Sequence, residues 1–308
     1  MIKTDVRLEH EGYIAEFRSG LGGTCYRLYN VALDTEILRS PESEEELFAN
    51  ISLFGNPILF PPNRIRGGKF NFNGREYSFP VNEPKTGSHL HGTLREMPFR
   101  IAALDEKSVS FVYEAGEGEY LGFPHAFRVY RNYSLGADGL TEKTVFENLS
   151  DTMMPFMLAF HTTFALSGKE NARLSVPVVR EQMRDENYLP TLLWQSGRVR
   201  DEQIRSGEYE IFSSPLSALY QTDGKITEIT DPVSNISIIS ECSEQYGYRM
   251  LWRGADSDFL CIEPQTVAID CFHLDTPPEE NGLIKIAAHG SITLSVRYAA
   301  QINSKGTV

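Results

Sequence analysis

Short stretches rich in Val, Ile, Phe, Tyr and Thr recur along almost the whole chain at intervals of about ten residues, punctuated by Gly, Asn, Asp and Pro. No segment sustains the 3.6-residue apolar period of a long amphipathic helix, and neither a solenoid repeat nor a glycine-rich phosphate loop is present. A chain patterned this way buries its apolar faces by packing sheet on sheet. The expected class is therefore all-β: a large antiparallel sandwich or closed sheet system with few short helices. No stretch is rich enough in Gly, Ser or Pro to act as a linker, so residues 1–308 are read as one domain.

Local signals fill in this outline. The clearest is KFNFNGREYSF at residues 69–79, where Asn73 and Gly74 sit between alternating aromatics, as a two-residue type I′ hairpin requires. Residues 41–50 read as a short helix, with Ser43 and Glu46 spaced as a capping box. Residues 140–147 and the apolar run 155–166, PFMLAFHTTFAL, read as consecutive strands of a meander, the second mostly buried. Residues 225–239 suggest one hairpin, and 283–289 with 291–298 a second about Gly290. The charged stretch 180–207 reads as an irregular surface excursion.

Charge narrows the function. Lys and Arg total 29 against 42 Asp and Glu, a net charge of −13 that repels phosphate backbones and argues against a nucleic-acid partner. The first residues hold no apolar signal core, and no segment offers the roughly 18 uninterrupted apolar residues of a membrane span. The four cysteines (Cys25, Cys242, Cys261, Cys271) show neither metal-binding nor disulfide spacing, which fits small buried hydrophobes in a cytoplasmic protein. A small, weakly charged molecule is the expected partner, with the chain a monomer or a homodimer.

Several polar residues stand out against this background. His161 lies inside the apolar 155–166 run, where an unpaired ring nitrogen costs roughly 1–3 kcal/mol. It is either a core histidine satisfied by a carbonyl or a functional group. His89 and His91 in GSHLHGTLR share a face if the chain there is extended. No second cluster at ligand spacing completes a metal site, and none is assigned. Pro61 and Pro62 end a strand and present Asn63 and Arg64 from a stiff turn. Glu263 stands before Pro264 at the end of a strand, and Trp252 ends another, placed either to stack on a ligand or to fill the core.

Taken together, PNRIRGGKFNFNGREY, SHLHG, GADGLTEKTVFENLSDTMMPFMLAFHTTFAL and CIEPQT occur in the order of the corresponding segments of the aldose 1-epimerase (galactose mutarotase) family, which the chain resembles from about residue 56 to 266. The resemblance implies a β-supersandwich with a sugar cleft on one face. It assigns Glu263 as the base that takes the proton from the anomeric hydroxyl and His161 as the acid that protonates the ring oxygen. His91 would assist at the ring oxygen, Arg64 and Asn63 would hold sugar hydroxyls, and His89 and Trp252 would contact the sugar. Opening a hemiacetal needs an acid and a base on opposite sides of one carbon, but no redox step, metal or nucleophile, so no cofactor is expected.

Two departures accompany the resemblance. Thr162 and Thr163 follow the histidine where Pro or Ser and then Tyr are common, and the family's sugar-gripping aspartate has no clear counterpart, Asp223 lying late for it. Two other functions compete with a free-hexose epimerase. One is a non-catalytic sugar-binding or regulatory protein on the same scaffold. The other is a hexose-phosphate epimerase, for which Arg66, Lys69 and Arg95 are candidate anion ligands.

Overall fold

A computed structural model describes residues 2–303. Two large antiparallel sheets dominate it. The first runs Val6–His10, Tyr13–Arg18, Thr24–Asn30, Thr35–Leu38, Thr163–Ala165, Phe259–Gln265, Tyr248–Arg253, Leu216–Thr222, Val178–Arg184 and Pro190–Gln195. The second runs Arg100–Leu104, Ser108–Ala115, Phe127–Gly136, Gly139–Asn148, Ser291–Ile302, Ile236–Cys242, Ile226–Asp231, Arg173–Ser175 and Tyr209–Glu210. This is the expected all-β sandwich with few short helices. Among the described residues no helix is long and apolar enough to cross a membrane.

Burial follows the pleat. Phe127–Gly136 alternates between buried and partly exposed positions, as a strand does when one face packs on a core and the other meets water. Phe259–Gln265 is buried at every position. Between the sheets Phe60 sits among Phe123, Phe127 and Phe146 at ring separations of 4.9, 5.5 and 4.7 Å. A fully buried ion pair joins neighbouring strands of the second sheet beneath this core. Arg131 binds Glu142 through Nε at 2.7 Å and Nη2 at 3.0 Å, and also donates to the carbonyls of Gly22 and Asn56.

The Asn73–Gly74 turn has both residues at positive φ (49° and 76°), the type I′ geometry the sequence demands. The helix is Glu44–Ala49. Ser43 caps it by accepting from Glu46 N, but the Glu46 carboxylate accepts from Glu42 N and not from Ser43, so only half of the capping box forms.

Three expectations need correction. The 155–166 run is not one strand. Met154–Phe156 pairs with Ile284–Ile286 in a separate small sheet, and Ala159–Phe160 and Thr163–Ala165 lie along Phe259–Gln265 with His161 at the break between them. The partner of Gly139–Asn148 is therefore Ser291–Ile302, not the histidine segment, and the hairpin about Gly290 does not form. Residues 180–207 are not irregular. Val178–Arg184 and Pro190–Gln195 form a hairpin on the edge of the first sheet, and Val199–Ser206 is a helix ended by Gly207 at φ 80°.

Candidate active site

An open cleft of about 500 Å³, a size suited to a small ligand, lies over the first sheet with Glu263 and His161 in its lining. Strand register explains why these two residues meet. Ala159 pairs with Gln265 and Thr163 with Cys261, so the same antiparallel register puts 161 opposite 263, with both side chains on one face. His161 Nε2 lies 3.5 Å from Glu263 Oε1. The two groups are side by side, which replaces the expectation that they sit on opposite sides of a reacting carbon.

Both are buried, His161 at 8% and Glu263 at 2% exposure, so desolvation governs their chemistry. Burial pushes the Glu263 carboxyl up to about 8, against the opposing pull of the Gln265 amide, Arg184 and Arg64. Burial holds His161 down to about 4, and the positive charge of Arg95 acts in the same direction. Gln265 Nε2 donates to Glu263 Oε2 at 3.3 Å, steadying the carboxyl, while His161 Nδ1 is buried without a partner.

A second pairing positions His91 and Asn63. The Arg64–Arg66 and Ser88–Leu90 strands pair Arg64 with Leu90, and one step further Asn63 faces His91. Both residues are left-handed (φ 53° and 65°), a conformation that costs a non-glycine residue about 1–2 kcal/mol. Two hydrogen bonds hold them: His91 N donates to Asn63 O at 3.0 Å, and Asn63 N donates to His91 Nδ1 at 3.2 Å. Because Nδ1 accepts, the neutral ring carries its proton on Nε2, and burial next to His161 and Arg95 keeps it neutral. The His91 and His161 rings meet edge to face at 5.5 Å.

Asn63, Arg64, His91, His161, Trp252 and Glu263 thus all line one cleft. His89 does not. The left-handed turn at His91 breaks the extended chain on which the two histidines would share a face; His89 is buried against Phe79 with its Nδ1 on the Pro80 carbonyl. Arg64 commits Nε and Nη2 to Glu83 at 2.6 and 2.7 Å, leaving Nη1 outside that pair. Of the three candidate anion ligands only Arg95 reaches the cleft, whereas Arg66 pairs with Asp270 and Lys69 with Glu76 elsewhere. Asp223 pairs with Arg205 on the surface, and among the described residues no aspartate lines the cleft. Sequence reasoning missed Arg184, Tyr188 and Ser217. The first two come from the hairpin taken as a surface excursion, whose β-type run PTLLWQ was the available signal.

Two packed antiparallel sheets, with a buried imidazole and carboxyl in register on the floor of a cleft, give the chain a galactose mutarotase-like fold. A profile described as aldose 1-epimerase matches residues 5–298, and the chain belongs to that family. It is 26% identical over 273 residues to the uncharacterized protein YphB of Escherichia coli K12, covering 84% of this chain and 87% of that one. It is 26% identical over 243 residues to YihR of the same organism, an uncharacterized protein too, covering 76% and 75%. Among solved structures, a galactose mutarotase-like protein from Clostridium acetobutylicum superposes with a TM-score of 0.90 at 24% identity, covering 98% of each chain.

Proposed function

We propose that this protein is an aldose 1-epimerase that interconverts the α and β anomers of a hexose by opening and closing its ring. The observation that carries this reading is the His161–Glu263 pair, two proton-transfer groups 3.5 Å apart on the floor of a cleft of sugar size. Two oxygens attached to one hemiacetal carbon are themselves close neighbours, so adjacent groups serve them better than opposed ones.

The shifted proton affinities set the sequence of transfers. Near neutral pH the pair holds one proton, and burial alone rests it on the carboxyl. The attraction between a carboxylate and an imidazolium 3.5 Å apart works the other way. A sugar adds to that pull, its anomeric hydroxyl donating to the carboxylate and its ring oxygen accepting from the imidazolium. Glu263 then takes the proton from O1, His161 delivers its proton to O5, and the C1–O5 bond breaks to give the aldehyde. Rotation about C1–C2 and the reverse transfers close the other anomer. The open-chain stage leaves Glu263 protonated and His161 neutral, the distribution that burial favours. His91 Nε2–H serves as a fixed donor beside the ring oxygen, and Asn63 and Arg64 bind hydroxyls.

Four buried, unpaired cysteines support a cytoplasmic location for this activity. Polarimetry of freshly dissolved α-hexoses with and without the protein tests the reading. Equilibration faster than the buffer blank is the expected result, and an unchanged rate across neutral, phosphorylated and uronic hexoses would overturn it.

A further inference from the structure

The cleft is short of negative charge. Arg64, Arg95 and Arg184 line it, and among the described residues Glu263 is the only carboxylate that does. Near neutral pH that carboxyl shares one proton with His161, so the pair carries no net charge and offers the arginines little compensation. Two of the three cations have partners, Arg64 on Glu83 and Arg95 on Glu96 at 3.1 Å. Even so, Arg95 Nε is buried with no acceptor.

Arg184 stands apart. Among the described residues its hydrogen bonds go to the Ser217 carbonyl and hydroxyl, neither of them an anion. The nearby Glu181 is already held by Arg198 and Arg200. The Tyr188 ring lies 4.9 Å from the Arg64 guanidinium and 5.8 Å from that of Arg184, keeping the two like charges together at the rim. Such a cluster on a chain of net charge −13 runs against the overall field and draws anions to one place.

Register locates this charge relative to the proton-transfer pair. Glu263 pairs with Met250 and Met250 with Leu219, and Ser217 lies two residues along the same strand. Arg184 is therefore anchored two strand spacings across and two residues along from Glu263, roughly 12 Å away. With the anomeric carbon on the pair, that position faces the far side of the sugar.

We propose that Arg184, supported by Arg64, binds an oxyanion carried by the sugar away from its anomeric carbon, so that the substrate class is an acidic hexose. This rests on the epimerase reading and adds the substrate to it. A neutral sugar would leave the Arg184 charge partly desolvated and unanswered, whereas a planar guanidinium fork suits phosphate, sulfate or carboxylate.

Anomerisation of α-glucose, glucose 6-phosphate, glucose 6-sulfate and glucuronate, followed by NMR exchange, tests it. For the wild type, kcat/KM for at least one acidic sugar exceeds that for glucose by about tenfold or more, mainly through KM, and the preference shrinks with added salt. Arg184→Gln collapses that preference by about tenfold or more, and Arg184→Lys, which keeps the charge without the fork, restores part of it. The three acidic sugars separate phosphate, sulfate and carboxylate as the recognised group. Equal kcat/KM for neutral and acidic sugars, or an Arg184→Gln variant that keeps the preference, overturns the proposal. Calorimetric binding of the same sugars separates the two readings: tight binding of an acidic sugar that Arg184→Gln abolishes, without turnover, retains the anion site and removes the epimerase. Turnover without any acidic preference does the reverse.

Discussion

At the scale of single residues, the molecule works by desolvating two ionisable groups and leaving them one proton to share. That arrangement fixes the pH dependence of kcat/KM. Below about 4, His161 is protonated while Glu263 keeps its own proton, so no base remains. Above about 8, Glu263 loses its proton while His161 is already neutral, so no acid remains. The expected profile is a bell between these limits whose flanks belong to the pair as a unit. After subtraction of the buffer-catalysed rate, an activity that climbs through pH 9 without falling would exclude this account. Glu263→Gln and His161→Asn each remove one transfer and should lower kcat by about 10²–10⁴-fold with the fold intact. A variant retaining near-wild-type kcat would take its residue out of the chemistry.

At the scale of elements, Glu263 is held within a continuous strand while a strand break aims His161 and a left-handed turn aims His91, and glycines mark where the backbone has no room. Gly92, next to His91, has φ 60°, and a Cβ built there would lie 1.8 Å from the Phe60 carbonyl oxygen. Gly74 in the Asn-Gly turn has φ 76° but open space around it. The two positions therefore separate strain from collision. Gly74→Ala should cost about 1–2 kcal/mol and leave anomerisation unchanged. Gly92→Ala should cost about 2–5 kcal/mol and also lower kcat/KM, because His91 must move with the backbone. Thermal melts paired with NMR exchange rates measure both, and equal losses of stability in the two variants would contradict the packing argument.

The same contrast explains what could be read from sequence. The Asn73–Gly74 turn was legible because its geometry depends on two adjacent residues. The break at His161 was not, because it arises where the chain passes between Ile58–Leu59 and Phe259–Gln265, partners far away in sequence. Arg184 was hidden in a different way: a run of Arg, Glu, Gln and Asp looks solvated until a neighbouring strand, Leu216–Thr222, is known to pair with it. His161 was legible from its apolar run, and family resemblance gave it and Glu263 their roles; their shared register only the folded chain reveals.

At the scale of the whole molecule, the site depends on a charge buried far beneath it. Arg131 and Glu142 are both fully inaccessible, and their network fastens the segment that supports His161. Asn56 Nδ2 donates to Glu142 at 2.7 Å, Asn56 Oδ1 accepts from Cys25 N, and the Asn56 carbonyl accepts from Arg131. The residues on either side of Asn56 carry the histidine strand, for His161 N donates to the Pro57 carbonyl and Thr163 N to that of Gly55, each at 2.9 Å. Removing one charge leaves the other buried without compensation. Glu142→Gln should therefore cost about 3–5 kcal/mol, seen as a lower urea midpoint, and should loosen His161 enough to reduce kcat. Replacing both members, Arg131→Met with Glu142→Leu, removes the stranded charge and should recover most of the stability. It should not recover all of kcat, because the Gly22 and Asn56 carbonyls and the Asn56 amide lose their partners. If the double variant were as unstable as the single one, the burden would lie in packing and not in charge. A single variant with an unchanged midpoint would mean that water reaches the pair and that the two sheets do not rely on it.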